Sequence, residues 1–418
     1  MSSLFKSSGQ LLFFIATTAT SRAQGPPTPG RIVLRNTQQA ARASEIISIA
    51  RSRFQRVAAG YFPLVKKGAK TYVTQLIDTD ADGQWDELLL EASLGANARD
   101  TLRLAWVGAA RQPAFEQLTN VRFSRKTRTS QPEAEIAFLE RPRGFTQNIA
   151  DPVYQLEGPG IENDKVAFRA FFDQRNGKDV YGKIRPAPVL EQVGVIGSWH
   201  TLQPWGMDIL HTGSSLGAGA LAVRDAHGLH RLADADKTTF QALYEGPLRA
   251  AFALRFTNRD GAGASQNGRE TIALEKGNYY YANRITLNLT ERQQLVSGLA
   301  NFDTLRVVYQ NHNAQLSSIS TYGGQAEGDK AKLGLAILFP ARQYAAYATT
   351  RATAAIPNTS YVALKPEKSG AYTVWFFACW EKTDARFSTQ AGFAAYVQQA
   401  ADQLANPITA TVVYPNSK

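Results

Sequence analysis

The sequence predicts an all-β-dominated protein: a small N-terminal β-sandwich, then a large antiparallel two-sheet sandwich of super-sandwich type, and a C-terminal helix. Three observations carry this expectation. Short apolar runs separated by turn residues fill positions 31 to 107, and strict alternation of apolar and polar residues recurs from Tyr154 to Lys382. Helical spacing occurs in one clear stretch, near the C-terminal end.

The chain starts like an export signal. Lys6 precedes the apolar run Leu11 to Ala16, and Ser21-Arg22-Ala23 sets small residues at the two positions a signal peptidase reads, so the mature chain is expected to begin at Gln24. The run is about half of the roughly 20 residues that a membrane span needs, which argues against an anchor. A periplasmic or secreted location follows as an expectation. Cys379 is the only cysteine among 418 residues, so no intrachain disulfide can form and the fold must rest on its core.

Residues 24–124 read as the small sandwich. "RIVLRN", "TYVTQLID", "DELLLEASL" and "TLRLAWVG" have strand length and composition, while "TQQAARASEIISIA" fits either a helix or an irregular strand pair. Within this unit "DTDADGQWDE" places Asp78, Asp80, Asp82 and Asp86 at positions 1, 3, 5 and 9 of an acidic loop, with Gly83 at its turn. Alternating hard oxygen donors suit a structural Ca²⁺. Leu89 stands where an EF-hand has its bidentate Glu, and strands flank the loop, so the alternative is a solvated acidic hairpin. No organic cofactor is expected.

Residues 125–150 are polar, carry Pro132 and Pro142, and read as a linker. Residues 151–418 read as the large sandwich, with a cleft and the terminal helix. In "KVAFRAFFD" Val166, Phe168, Ala170 and Phe172 share one face and Lys165, Arg169 and Asp173 lie on the other. "LRAAFALRF" sets Leu248, Phe252, Leu254 and Phe256 against Arg249 and Arg255, and "YYYANRITLNL" sets Tyr281, Ile285 and Leu287 against Tyr280, Arg284 and Thr286. Such strands suit antiparallel sheets with one face on the core and one lining a cleft or facing water. The helix lies in "STQAGFAAYVQQAADQLANP", with Ser388 as cap and Pro407 as stop.

Two stretches hold the candidate chemistry. "WGMDILHTGSSLGAG", residues 205 to 219, contains the nucleophile-like pattern Gly-Ser-Ser-Leu-Gly, but "AGALAVRD" after it reads as a strand where a serine hydrolase needs a helix, so the glycines read as a turn. His200 and His211 bracket Trp205 and Asp208. A zinc site is one reading of these residues, although the spacing matches no standard zinc motif; proton transfer by the imidazole of His200 or His312 is the other.

The second stretch is "YQLEGPGIENDKVAFRAFFDQRNGKDVYGK", residues 154 to 183. Glu157, Glu162 and Asp164, with Asp208, His211 and His200, are the candidate catalytic groups, because glycoside hydrolysis needs two carboxylates and elimination needs a base. Lys165, Arg169, Arg175 and Lys183 can neutralise a uronate carboxylate. Tyr154, Trp199 and Trp205 offer aromatic faces to sugar rings, and Asp173 a polar contact. The bland alternative is ion pairing on a solvated sheet face.

A formal charge of +11, or +9 with 44 basic against 35 acidic residues once Lys6 and Arg22 leave with the signal, favours an anionic partner. Without a Lys/Arg block or nucleic-acid motif, the expected partner is an acidic oligo- or polysaccharide, with no nucleic acid and no membrane anchor after signal cleavage.

These two stretches and "IDTDADGQWDELL" together resemble an uncharacterised exported family, domain-of-unknown-function family 4861, encoded in bacterial polysaccharide-utilisation loci beside pectin- and uronate-processing enzymes. The likeness covers most of the mature chain. It implies carbohydrate degradation and a large sandwich similar to galactose-mutarotase-like enzymes, and it brings no assigned reaction. A glycoside hydrolase or lyase acting on an acidic, pectin-like glycan is therefore the expected function, and a non-catalytic glycan-binding protein is the alternative.

Overall fold

The computed structural model describes residues 26–415 apart from 56, 81, 149, 196, 260–265 and 329. The expected signal segment, residues 1–23, lies outside them. Among the described residues no helix is long and apolar enough to cross a membrane.

Among the described residues the fold is all-β with one α-helix, as the alternation predicts. The small sandwich packs a five-stranded sheet, which includes Gly30–Arg35, Tyr61–Lys67 and Arg99–Gly108, on a three-stranded sheet of Arg42–Ala50, Thr74–Ile77 and Glu87–Leu94. Ile32, Leu34, Val65, Leu102 and Leu104 from the first meet Ile47, Ile49, Leu88 and Leu90 from the second. "RASEIISIA" is thus a strand, in register with Glu87–Leu94. Thr409–Val413, read from sequence with the large sandwich, pairs antiparallel with Gly30–Arg35, so both ends of the described chain close the small unit.

In the large sandwich one layer is a nine-stranded antiparallel sheet and the other is made of two five-stranded sheets. Phe240, Phe252, Leu254, Ile285, Val374 and Phe376 of the first layer share a core with Phe168, Val180, Leu221, Leu295 and Val362 of the second. Phe138–Pro142, within the stretch read as a linker, forms an edge strand of the nine-stranded sheet against Ala235–Tyr244.

The helix Gln390–Ala405 buries Phe393, Val397, Ala400 and Ala401 against Tyr280, Leu338, Phe377 and Cys379 of the nine-stranded sheet. Its cap is Thr389, whose hydroxyl accepts the Gly392 N–H at 3.1 Å, rather than Ser388, whose hydroxyl donates to the Ala385 carbonyl one turn earlier.

Gly-Ser-Ser-Leu-Gly is a turn. Ser215 is 1% exposed; its hydroxyl donates to the Thr212 carbonyl at 2.7 Å and accepts the Gly217 N–H at 3.0 Å, which leaves it no route to a substrate. Gly217 has φ +63°, and a Cβ there would stand 2.0 Å from the Lys178 carbonyl. Gly217→Ala is therefore expected to destabilise the fold by more than about 2 kcal/mol, combining left-handed strain with overpacking, as read by chemical denaturation.

Candidate functional site

The two chemistry-bearing stretches lie side by side in one sheet. Lys178–Lys183 pairs with Val166–Ala170 on one side and with Gly206–Asp208 on the other, which sets Arg169 opposite Asp179 and Tyr181 opposite Asp208. Both faces of this sheet are buried. Val166, Phe168 and Ala170 enter the main core as expected. The other face is covered because residues 184 to 205 fold back over it, and Val189, Leu190, Val193, Trp199 and Trp205 pack on Ala167 and Tyr181.

The charges on that covered face satisfy one another. Arg169 donates through Nε and Nη2 to Asp179 at 3.0 and 2.6 Å, through Nη2 to Asp208 at 3.0 Å, and through Nη1 to Glu157 at 3.2 Å. Its guanidinium lies 4.7, 5.2 and 5.4 Å from the ring centres of Phe171, Tyr181 and Trp199. Arg175 stacks on Phe171 at 4.1 Å and bonds Asp173 at 2.6 Å and the second oxygen of Glu157 at 3.0 Å. Glu157 holds a left-handed φ of +59° to bridge the two arginines. Burial first, and then the Asp179 charge, push the Asp208 carboxyl well above the usual carboxylate range.

A second buried pair joins Lys183 to Glu162 at 2.6 Å. Both residues are fully enclosed, and burial lowers the Lys183 ammonium below its ordinary value despite the Glu162 charge. Glu162 also accepts the N–H groups of Val189 and Leu190, so this pair pins the covering segment down. Asp164 accepts the Gly277 N–H at 2.7 Å and lies 3.3 Å from Lys165. Tyr154 packs against Phe123 and Phe172 in the core. Trp205 meets Tyr181 edge-on at 6.0 Å, and Trp199 donates from Nε1 to the exposed His200 at 3.0 Å.

Glu157, Glu162, Arg169, Asp173, Lys183 and Asp208 thus form a buried frame, with Arg175 at its partly exposed edge. His211 is different. It follows the strand ending at Asp208, its side chain is 58% exposed, and it rests edge-on against Phe302 at 4.3 Å. Its Nδ1 lies 3.9 Å from Glu327, whose own N–H donates to the Ile209 carbonyl. Together they line a pocket of about 270 Å³ with Asp303, Gln325 and Lys330, the last bonded to Asp303 at 3.1 Å. Asp208 sits behind this wall, close enough that the Glu327 charge adds to its upward shift.

Phe302, Asp303, Glu327 and Lys330 are absent from the sequence reading. The one signal for Glu327 and Lys330 is charge within the glycine-rich turn "YGGQAEGDK", and Phe302 and Asp303 have none. His312, the other imidazole read as a proton-transfer group, lies between Gln398 and Ser318 beside the helix, where burial lowers its ordinary value.

In the acidic loop, carboxylate oxygens of Asp78, Asp80 and Asp86 lie within 4.8 Å of one another. Gly83 has φ +83° and donates to Asp78, and Asp82 turns away to accept the Gln84 N–H at 2.7 Å. Hydrogen bonds from the Thr79 hydroxyl and N–H hold Asp86 below the usual carboxylate range.

The uncharacterized protein P7 of Formosa agariphila is 23% identical over 428 residues, covering 96% of this chain and 98% of that protein. Among solved structures, an alpha-mannosidase from Enterococcus faecalis V583 aligns over 93% of this chain at 8% identity with a TM-score of 0.41. A glycosyl hydrolase family 38 protein from Enterococcus faecalis aligns over 92% at 8% identity with a TM-score of 0.42. The chain spans 46% and 47% of those two structures, about half their length. A family model described as a domain of unknown function (DUF4861) matches residues 34–410, and the chain belongs to that family.

Proposed function

We propose that this member of the DUF4861 family is an exported enzyme that cleaves an acidic, uronate-containing glycan, with the pocket at His211 as its active site. The observation that carries this reading is the approach of His211 to Glu327, 3.9 Å apart on an open pocket that also holds a lysine. His211 takes the proton next to the uronate carboxylate, the electron pair left behind forms a double bond to the neighbouring carbon as its glycosidic C–O bond breaks, and the departing oxygen takes a proton from the imidazolium; Lys330 faces the carboxylate and Glu327 orients the imidazole. The buried frame of Arg169 and Asp208 holds the strand that delivers His211. Elimination is favoured over hydrolysis by a specific contrast: Glu157 and Glu162, two of the three carboxylates of 154–183 read as candidates for acid and base, are sealed in ion pairs.

Incubation with uronic-acid oligosaccharides tests this. Elimination gives an unsaturated product that absorbs in the ultraviolet. New reducing ends without that absorbance would replace elimination by hydrolysis, with Asp303 and Glu327 as the carboxylate pair. Retention on a glycan gel without turnover would leave a binding protein, the reading favoured by the sealing of so many charged groups.

The acidic loop is assigned in the same proposal as a Ca²⁺ site that staples the small sandwich, with Asp78, Asp80 and Asp86 as ligands. Excess EDTA is expected to lower the melting temperature and Ca²⁺ to restore it. At a free Ca²⁺ of 100 times Kd the gain is about 2.7 kcal/mol. An unchanged melting curve would remove calcium from the assignment.

A further inference from the structure

The outward face of the nine-stranded sheet carries an electrostatic arrangement that the fold itself does not explain. Arg255 on Arg249–Arg259 stands directly opposite Arg269 on Gln266–Glu275. On the next strand, Tyr280–Leu287, Arg284 lies one diagonal step away, since Arg269 faces Thr286 and Arg284 faces Thr271. Like charges directly opposite in a sheet are destabilising. Among the described residues, none of these three has an ion-pair or hydrogen-bond partner. Burial and then the Arg255 charge lower the Arg269 guanidinium from its ordinary value.

Three other cations on or beside this face are neutralised. Arg249 bonds Glu275 at 2.7 Å and Glu87 at 3.3 Å, Lys276 bonds Glu91 at 2.9 Å, and Lys237 bonds Glu140 at 2.9 Å. The three free arginines thus make a diagonal basic track across adjacent strands spaced by about 4.8 Å.

The track leads into a pocket of about 270 Å³ between the sheet, the small sandwich and the end of the helix. Ala273 and Ala282 are in register and form a low floor, Trp375 stands next to them in the same row as a half-buried wall, and Arg284 closes one side. Asn278 and Gln403 add hydrogen-bonding groups. A flat indole beside a shallow floor suits a sugar ring, and a free guanidinium beside it suits a carboxylate or sulfate on that ring.

We propose that this face binds an anionic polysaccharide chain, which follows Arg255, Arg269 and Arg284 and seats one sugar against Trp375. The surface is separate from the His211 pocket and shares with it only the class of ligand.

The test is electrophoresis of the full chain through gels containing polygalacturonate, dextran sulfate or uncharged dextran. Retardation by polygalacturonate identifies a uronate chain and by dextran sulfate a sulfated one. Either supports the proposal, provided that uncharged dextran does not retard the protein and that added salt weakens the effect. The triple variant Arg255→Gln, Arg269→Gln, Arg284→Gln is expected to lose at least about tenfold in retention while its melting temperature stays level or rises, because repulsion is relieved. The His211→Gln variant is expected to be retained like the parent, which separates this surface from the catalytic proposal. No retardation in either charged gel, retention unchanged in the triple variant, a lower melting temperature of that variant, or tighter binding of an oligonucleotide than of either polysaccharide would each overturn it.

Discussion

Replacing Arg169 with methionine is expected to destabilise the protein by about 3–5 kcal/mol, the scale measured when one partner of a buried ion pair is removed. Arg169 is the common donor to Glu157, Asp179 and Asp208, all of them buried, so its loss leaves three enclosed carboxyl groups with Arg175 as the remaining nearby cation. Methionine fills much of the space between Phe171, Tyr181 and Trp199, which keeps the effect electrostatic rather than one of cavity formation. Urea unfolding measures it, and a loss under 1 kcal/mol would mean that the frame carries little of the fold's stability.

The same frame predicts a pH dependence with a definite sign. Asp208 has its folded pKa raised, by burial first and then by Asp179, so the folded protein binds more protons than the unfolded chain above the ordinary aspartate value. Its contribution is fully present below the unfolded pKa near 3.8 and is lost as pH rises through the raised folded value. Each unit of that shift corresponds to about 1.4 kcal/mol. Asp208→Asn cannot ionise, so its stability is expected to fall less than the parent's across this window. Parallel curves for the two proteins would count against a proton held at Asp208.

Replacing His211 with glutamine is expected to lower turnover of a uronic-acid oligosaccharide by about 10²–10⁴-fold, the contribution typical of a positioned acid or base. Stability should barely change, because the ring is more than half exposed and only its edge meets Phe302. KM should also change little, since the proposed role is proton transfer rather than binding. Glu327→Gln keeps the shape of the pocket and removes the charge 3.9 Å from the ring, so it should lower turnover by a smaller factor. An unchanged rate in His211→Gln would move the chemistry to another group.

The contrast between Arg169 and His211 shows where sequence reading reached and where it stopped. Alternation in "KVAFRAFFD" identifies which side chains leave the core layer but says nothing of what lies above them. A polar face opposite an apolar one usually meets water, whereas here Arg169 and Asp173 are 4% and 2% exposed. The cover comes from residues 184 to 205, whose mixture of prolines, glycines and polar residues has no period to announce it. The sequence marks His211 as an imidazole near an aspartate, yet the aspartate beside it in sequence bonds Arg169, and the carboxylate that meets its ring is Glu327.

Local pattern by itself determined the all-β character, the terminal helix, the acidic loop with its turn at Gly83, and the reading of Gly-Ser-Ser-Leu-Gly as a turn. Each depends on periodicity or backbone freedom within a few residues, and those are properties of the chain alone. Tertiary structure decided which charges are enclosed, that His211 meets Glu327 across more than a hundred residues, that the last strand pairs with the first, and that Arg255, Arg269 and Arg284 align on one open face. These depend on strand register and on which segment covers which sheet. Both are fixed by burial summed over the whole fold, so a charged residue in an alternating strand reads the same whether it meets water, a buried counterion or a ligand.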